Sequence, residues 1–118
     1  ERRFKPRHTG DTALHAASAN GNWEVVEILL ERKADVNLFS NSDGATALMR
    51  ACEGAEGIDR RNLFKCIERL MDDPRSDIHQ ANFQGRNALH VALDNRMLEA
   101  ADALLAAGAK VPRPPLPP

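Results

Sequence analysis

Three stretches of the chain repeat one pattern, in which a residue that can cap a helix is followed by Ala, Leu and a short helical run. The copies are TALHAAS at 12–18, TALMRAC at 46–52 and NALHVAL at 87–93. Thr46 lies 34 residues after Thr12, and Asn87 lies 41 residues after Thr46. Self-similarity at a period of about 33 residues is typical of solenoids, in which each repeat is a helix pair that stacks on its neighbours. The repeat therefore predicts an extended array rather than a domain with a single core.

Each of these stretches is followed by an apolar helical segment at a similar spacing. The predicted second helices are WEVVEILL at 23–30, FKCIERLM at 64–71 and LEAADALL at 98–105. The first of them is apolar on more than one face, which is typical of a helix sandwiched between two neighbours. Trp23, Phe64 and Leu98 occupy the same position at the start of the second helix. We interpret all three as packing residues because they share this periodicity.

Composition limits the class of protein further. The chain has 118 residues, the length of one domain, and its net charge of −1 gives no overall attraction to nucleic acid or to an anionic membrane. No apolar run approaches the roughly 18–20 residues that span a bilayer. We therefore expect neither nucleic acid nor membrane as a partner. Cys52 and Cys66 are too few for a disulfide scaffold, and we interpret them as buried thiols in the reducing cytoplasm, nucleus or both.

The pattern resembles the ankyrin repeat, whose consensus runs Gly-x-Thr-Pro-Leu-His-x-Ala-Ala, a turn glycine, Val-Val-x-Leu-Leu-Leu and Gly-Ala-Asp-Val-Asn. The resemblance covers roughly residues 4–111. The matching residues are Gly10, Thr12, Leu14, His15, Ala17, Gly21, Val25, Val26, Leu29, Leu30, Ala34, Asp35, Val36 and Asn37 in the first repeat, and Gly85, Leu89, His90, Ala92, Leu104, Leu105, Gly108 and Ala109 in the third. The resemblance implies an all-α fold, a solenoid of stacked antiparallel helix pairs joined by hairpin-like loops.

The expected organisation is an ankyrin-repeat domain at 1–111 and a proline-rich tail or linker at 112–118. The repeats lie at approximately residues 10–37, 44–79 and 85–111. The middle repeat departs from the consensus by about eight extra residues within Glu53–Asn62, between its two helices. Such an insertion is either a tolerated loop or a second binding surface. In addition, Lys33 stands where the consensus has glycine.

The resemblance implies that the chain binds a partner protein or peptide, as an adaptor or scaffold. Ankyrin repeats usually bind through a concave face formed by hairpin tips and the exposed side of the first helices. Carried over to this sequence, the candidate partner-binding residues are Lys5, Arg7, Phe39, Asn41, Arg50, Glu53, Phe83, Asp94 and Asn95. The alternative is a structural or regulatory ankyrin segment of a larger multidomain protein whose activity lies outside this chain. We expect a monomer, although stacking of the terminal repeats of two copies is also open.

Phe39 and Phe83 stand out because both lie in polar turn segments. A large apolar side chain has little local reason to be there, and exposed aromatic residues are favoured as interface anchors. The alternative is that each ring folds back onto a neighbouring repeat. The sequence leaves these two interpretations open.

No set of residues indicates an enzyme, a metal site or a cofactor. We interpret His15 and His90 as motif residues that hydrogen-bond locally and fix the start of the helix, and they lie too far apart to share a metal ion. Cys52 and Cys66 lack the spaced partners of a zinc site. The chain also has no phosphate-binding glycine loop and no nucleophile with a neighbouring base. We therefore expect no catalytic activity in this chain.

Two further features suggest weaker interactions. The tail PRPPLPP at 112–118 is expected to form a polyproline II segment, either as a stiff linker or as a ligand for a WW or SH3 domain. Asn37 is a candidate for hydroxylation by an asparaginyl hydroxylase, as the family resemblance implies. Leu29, eight residues before it, and Asp35, two residues before it, meet the spacing of that motif.

Overall fold

A computed structural model of the chain describes residues 11–110, which form six α-helices in three pairs. The helices are α1, Ala13–Ala19; α2, Trp23–Glu31; α3, Ala47–Cys52; α4, Arg60–Asp72; α5, Ala88–Asp94; and α6, Leu98–Ala106. Residues 11–110 contain no β-strand, so the predicted all-α solenoid of helix pairs is confirmed.

The first helix of every pair starts at the capping residue that the sequence predicts. The backbone N–H of His15 donates to Thr12 Oγ1 at 3.3 Å, and that of Met49 donates to Thr46 Oγ1 at the same distance. In the third repeat the His90 N–H donates to Asn87 Oδ1 at 2.9 Å. Each cap satisfies a donor that has no partner within its helix, which is why these helices begin at equivalent positions.

The helices lie in two layers. In one layer α3 contacts α1 on one side and α5 on the other, and in the second layer α4 contacts α2 and α6. The middle pair is therefore covered from both directions. Helix α4 accordingly buries four apolar side chains, whereas the shorter α2 buries only Val26 and exposes Val25 and Ile28. The sandwich predicted for the second helix thus holds for α4 and is wrong for α2.

The expectation that Leu98 packs like its equivalents is also wrong, because its side chain is 69% exposed. Trp23 is covered from the next repeat: the Lys65 ammonium and the Arg69 guanidinium lie 4.9 and 5.0 Å from the centre of its ring. Cations over an aromatic face are attracted to it. No helix pair follows α6 within residues 11–110, so nothing there covers Leu98 in the same way.

Both cysteines are buried free thiols, as the sequence predicts. Burial in apolar surroundings disfavours the thiolate, and it raises the pKa of Cys52 to about 12 and that of Cys66 to about 11. The nearby charges of Glu53 and Arg69 add smaller effects, upward for Cys52 and downward for Cys66. These thiols therefore behave as small packing residues of the middle repeat.

The loops between repeats are hairpin-like turns that touch one another. The Ser40 N–H donates to the Ala45 carbonyl at 2.8 Å and closes the turn between the first two repeats. The Phe83 N–H donates to the Asp43 carbonyl at 2.9 Å and connects this turn to the next one. The turns therefore form a continuous edge of the stack, next to the starts of the first helices.

Candidate partner-binding site

Phe39 and Phe83 pack against each other at the tips of the two hairpin turns. Their ring centres lie 5.8 Å apart with an angle of 70° between the rings, an edge-to-face arrangement that aromatic pairs favour. The two residues nevertheless remain 45% and 63% exposed, and Leu38 beside them is exposed as well. The ring contacts agree with the interpretation that each ring folds back onto a neighbouring repeat, whereas the role of interface anchor stays a prediction. Each ring packs on a neighbouring turn, and the pair still presents an apolar surface, which we call the hairpin patch (Leu38, Phe39 and Phe83).

Gly44 lies directly beneath Phe83. A Cβ atom at position 44 would lie 2.5 Å from Phe83 Cδ1 and 2.8 Å from the Phe83 backbone nitrogen. The backbone at Gly44 also has a φ of +79°, which glycine adopts without steric cost. The absence of a side chain at this position thus allows Phe83 to approach the preceding turn this closely.

Arg50 does not lie on the exposed side of its helix as the sequence predicts, and this expectation is wrong. The residue is only 9% exposed. Its guanidinium group is held by carboxylates of Asp11 at 3.0 Å, Asp43 at 2.8 Å and Glu53 at 2.9 Å. We call this group the Arg50 network. Several well-placed carboxylates can compensate the cost of burying a guanidinium, which explains the inward position.

The Arg50 network shifts the protonation equilibria of its members. A hydrogen bond from Arg50 lowers the pKa of Asp43 below its ordinary value, against a smaller opposing effect of burial. Burial disfavours the charge on Arg50, but the hydrogen bonds to Asp43 and Asp11 outweigh it and raise the pKa of the guanidinium. Asp43 and Arg50 are therefore both ionised at neutral pH. The carboxylates of the network are more exposed to solvent than the arginine is.

The remaining candidate residues are placed unequally. Glu53 and Asn41 are exposed, Asp94 is exposed and paired with Arg86, and Asn95 is half-buried, with its side-chain amide donating to the Val91 carbonyl at 2.8 Å. Lys5, Arg7 and the proline tail at 112–118 lie outside residues 11–110. The face formed by the hairpin turns and the ends of the first helices therefore combines the hairpin patch with carboxylates. These carboxylates include Asp11, Asp43 and Glu53, which are paired with Arg50, and Asp94, which is paired with Arg86.

Sequence reasoning missed that Asp11 and Asp43 hold the Arg50 guanidinium. Asp11 directly precedes the cap Thr12, and Asp43 lies just before the cap Thr46, so both sit beside a motif position. The sequence does contain a signal for this pairing. Arg50 is an arginine on the first helix of the middle repeat, and the first repeat begins with an aspartate, Asp11, just before its cap. Asp11 and Arg50 are 39 positions apart in the chain, so the pairing is not visible unless the repeats are aligned first.

The motif histidines differ between repeats. The Thr12 N–H donates to His15 Nδ1 at 3.2 Å, and His15 Nε2–H donates to the Ala45 carbonyl of the next turn at 2.8 Å. The predicted local role of His15 is thus confirmed, with a bridge to the next repeat in addition. His90 Nδ1 has no hydrogen-bond partner among the described residues, and its Nε2 lies 3.9 Å from Asp94. No cluster of three potential metal ligands occurs within residues 11–110.

Asn37 uses its side-chain amide to join the first two repeats. Its Nδ2–H donates to the Arg75 carbonyl at 2.7 Å, and its Oδ1 accepts the Asp77 N–H at 2.7 Å. Its own backbone N–H donates to Asp35 Oδ1 at 3.0 Å. The side chain therefore has a clear structural role between loops, and hydroxylation of Asn37 stays a prediction.

The insertion in the middle repeat crosses to the third repeat, which the sequence does not predict. Its last residues, from Arg60 onward, form the first turn of α4. The Arg60 guanidinium donates to the carbonyls of Asn95 and Arg96, both at 3.3 Å, and lies 2.7 Å from Met97 Sδ. The inserted segment thus helps to join two repeats on the side away from the hairpin patch.

Comparison with known proteins places these observations among others of the same architecture. A family model described as "Ankyrin repeats (3 copies)" matches residues 2–63 and 41–114. The solved ankyrin repeat domain of human ASB11 aligns with a TM-score of 0.72 over 85% of this chain and 41% of that chain. Its sequence identity of 23% supports a likeness of fold alone.

Curated relatives are larger proteins. One is a probable E3 ubiquitin-protein ligase, XBOS33, of Oryza sativa subsp. japonica, 36% identical over 81% of this chain and 17% of the relative. Another is the human ankyrin repeat and SOCS box protein 16, 36% identical over 88% of this chain and 23% of the relative. The chain thus spans less than a quarter of the length of either relative.

No helix within the described part of the chain is both long and apolar enough to cross a bilayer.

Proposed function

Because this chain belongs to the ankyrin-repeat family, whose members generally act as protein-interaction modules, we propose that it binds a partner protein or peptide through its hairpin turns and first helices. The observation that carries this proposal is the hairpin patch. Two aromatic rings from successive repeats join there into an apolar surface that stays about half open to solvent. Exposed aromatic residues in such a cluster are typical of the anchors that supply most of the binding energy at an interface.

The charges around the patch indicate the chemistry of the partner. Asp43 and Glu53 are each nearly half exposed, whereas the arginine between them is buried. A partner therefore meets carboxylates beside the two rings. We propose a partner segment that places an apolar side chain on the rings and a lysine or arginine next to the Arg50 network. Complementary charge of this kind favours association and selects against acidic partners.

A pull-down from reducing cytosolic and nuclear extracts tests the proposal. The wild-type chain is compared with a Phe39→Ala/Phe83→Ala variant, and a Val25→Ala/Ile28→Ala variant of the exposed outer face of α2 serves as the control. We expect a partner that the wild type and the control retain and the phenylalanine variant loses. Each ring should contribute roughly 1–3 kcal/mol to the binding free energy of that partner.

Thermal denaturation of all three proteins shows whether the variants remain folded. Retention of the same partners by a folded Phe39→Ala/Phe83→Ala variant would contradict the proposed site. Loss of the folded state with unchanged binding of the surviving fraction would show that the rings stabilise the stack instead.

The relatives favour a second candidate function. Since the chain matches only 17% and 23% of the two proteins named above, it also fits a structural or regulatory segment of a larger multidomain protein. In that case any activity belongs to sequence outside these repeats, and we expect no turnover by the repeats themselves. The absence of any retained partner in the pull-down would favour this function. Because two buried free thiols suit a reducing compartment, we propose that the protein works in the cytoplasm, the nucleus or both.

A further inference from the structure

A second concave surface lies between the start of α4 and the start of α6, on the side of the stack that carries the insertion. It is a partly open groove with a volume of about 150 Å³. Phe64, Met97 and Leu98 provide its apolar lining, and Arg60 and Arg96 lie beside them. We call it the insertion groove. We infer that it binds a short peptide segment of another protein in which a bulky apolar side chain stands next to a carboxylate.

The insertion contributes Arg60 to the lining of this groove and packs beside it. Gly54, at the start of the inserted segment, approaches the third repeat so closely that a Cβ atom there would lie 3.1 Å from Met97 Sδ. The same segment delivers Arg60, whose hydrogen bonds to the Asn95 and Arg96 carbonyls fix its guanidinium at the edge of the groove. Gly54 and Arg60 thus hold the inserted segment against the third repeat, next to the apolar lining.

The size and lining of the groove suit one side chain. Small-molecule sites commonly occupy about 300–1,000 Å³, whereas an apolar cavity of about 150 Å³ can accommodate a benzene ring. Met97 is buried and Phe64 is half-buried, so both already pack within the protein and expose little apolar area to the groove. Leu98, in contrast, is the most exposed large apolar residue of those described. An incoming leucine or phenylalanine would cover it and remove apolar area from water.

The charges of the groove select the group next to that side chain. Within residues 11–110, neither Arg60 nor Arg96 has a carboxylate within 4.0 Å, although other arginines, such as Arg50 and Arg69, do. Among the described lining residues Glu99 is the one carboxylate, against two guanidinium groups. The local charge is therefore positive. Guanidinium groups form strong charge-assisted hydrogen bonds with carboxylates, so an acidic residue flanking the apolar one complements the groove.

The test is a two-dimensional NMR titration of the isotope-labelled chain with the peptide acetyl-Glu-Leu-Glu-amide. We expect saturable shifts of the backbone amides at Phe64 and at 96–100. The matched peptides acetyl-Lys-Leu-Lys-amide and acetyl-Glu-Ser-Glu-amide lack the charge or the apolar group and should bind at least about fivefold more weakly. Equal shifts with the lysine peptide, or no saturable shifts at these amides, would overturn the proposal.

Two variants and a control then assign the contacts. Leu98→Ser removes the exposed apolar side chain of the lining. Arg96→Asn removes a positive charge, and asparagine tolerates the left-handed backbone at this position. Each should weaken the peptide by about fivefold or more. Leu105→Ser changes another exposed leucine of α6, outside the groove, and should leave the affinity unchanged. Unchanged affinity in folded Leu98→Ser would contradict the site. Shifts confined to the hairpin patch would also contradict it, while leaving the proposed function intact.

Discussion

The Arg50 side chain changes what the binding face presents to a partner. A guanidinium on a helix surface would attract acidic segments, but here three carboxylates surround it and leave only a small fraction of it exposed. The network also connects Asp11, just before α1, to the middle repeat. Separating the two would leave a buried charge uncompensated, which is unfavourable. Its effect on recognition is therefore indirect, since it fixes the positions of Asp43 and Glu53.

The shifted pKa of Asp43 predicts a pH dependence of stability. Its pKa is lower in the folded chain than the ordinary value of 3.8, so the carboxylate stabilises the fold above that value. This stabilisation is lost as the pH falls through 3.8 and below. The free energy of unfolding of the wild type should thus exceed that of Asp43→Asn at pH 7 by less than about 1 kcal/mol, because the carboxylate is half exposed and screened by solvent.

Urea denaturation between pH 7 and pH 2.5 measures this difference, which should shrink towards zero at the acidic end. Asp102→Asn, at an exposed aspartate of α6 outside the network, is the matched control. A wild-type advantage over Asp43→Asn that stays constant down to pH 2.5 would show that the carboxylate charge does not stabilise the fold.

The turns between helices carry more specific constraints than the helices do. The turn at Gly44 accommodates Phe83 from the next turn, and the two are also connected by the bond from the Phe83 N–H to the Asp43 carbonyl. The equivalent Gly85 has nearly the same backbone, with a φ of +78°. Apart from its two chain neighbours, however, no atom of residues 11–110 lies within 4 Å of the position that its Cβ would take. A comparison of substitutions at the two glycines therefore distinguishes the cost of the left-handed backbone, which both share, from the cost of steric overlap, which occurs only at Gly44.

Gly44→Ala should destabilise the chain more than Gly85→Ala does. Both substitutions place alanine in a left-handed conformation, at a cost of about 1–2 kcal/mol. Only Gly44→Ala adds an overlap with the ring and backbone of Phe83, which should cost about 1–3 kcal/mol more. Free energies of unfolding from urea denaturation provide the comparison. Equal losses for the two variants would mean that Phe83 moves away from Gly44 without cost.

Helix starts could be predicted from the sequence, whereas contacts between repeats could not. Thr12, Thr46 and Asn87 act through atoms three residues away, so a local pattern contains all the information needed. Leu98 shows what a local pattern does not predict. The equivalent residue of the first repeat, Trp23, is covered by Lys65 and Arg69 of the following repeat, whereas Leu98 is exposed. Which repeat covers a residue is not encoded in that residue's own periodicity.

For the candidate site, too, the sequence identifies individual residues but not the contacts between repeats. The sequence singles out Phe39 and Phe83 because aromatic residues are unusual in polar turns, but it does not show that the two rings meet. It places Arg50 on the surface because helix periodicity ignores partners that lie 39 residues away in the chain. The insertion is visible as extra length, while its contact with Met97 depends on how two repeats stack.

Across the stack, stability should be highest in the middle. Repeat proteins are stabilised by contacts with neighbouring repeats, and only α3 and α4 have such neighbours on both sides within residues 11–110. All six residues of α3 are buried, and α4 buries four, including Leu70. Leu29 occupies the equivalent position in α2 and is only half-buried. Local opening should therefore begin in the outer repeats.

Amide hydrogen exchange tests this order. After correction for intrinsic rates, the Leu70 amide should exchange at least about tenfold more slowly than the Leu29 amide, a difference of about 1.4 kcal/mol in opening free energy. The two leucines are a matched pair, since both are helical and hold the same motif position. Equal exchange across all six helices would indicate that the described repeats open as one unit.

Two positively charged residues, Lys33 and Arg96, hold left-handed backbones with φ values of +68° and +57°. Natural chains are rarely as stable as their fold allows, and such positions are where improvement is simple. At Lys33, an exposed loop residue, a glycine would relieve the steric conflict and leave both proposed surfaces untouched. At Arg96 the same replacement would remove a cation of the insertion groove. Lys33→Gly is therefore a substitution that should raise the stability of the fold without a loss of binding. At Arg96, a gain in stability would come with a loss of binding in the insertion groove.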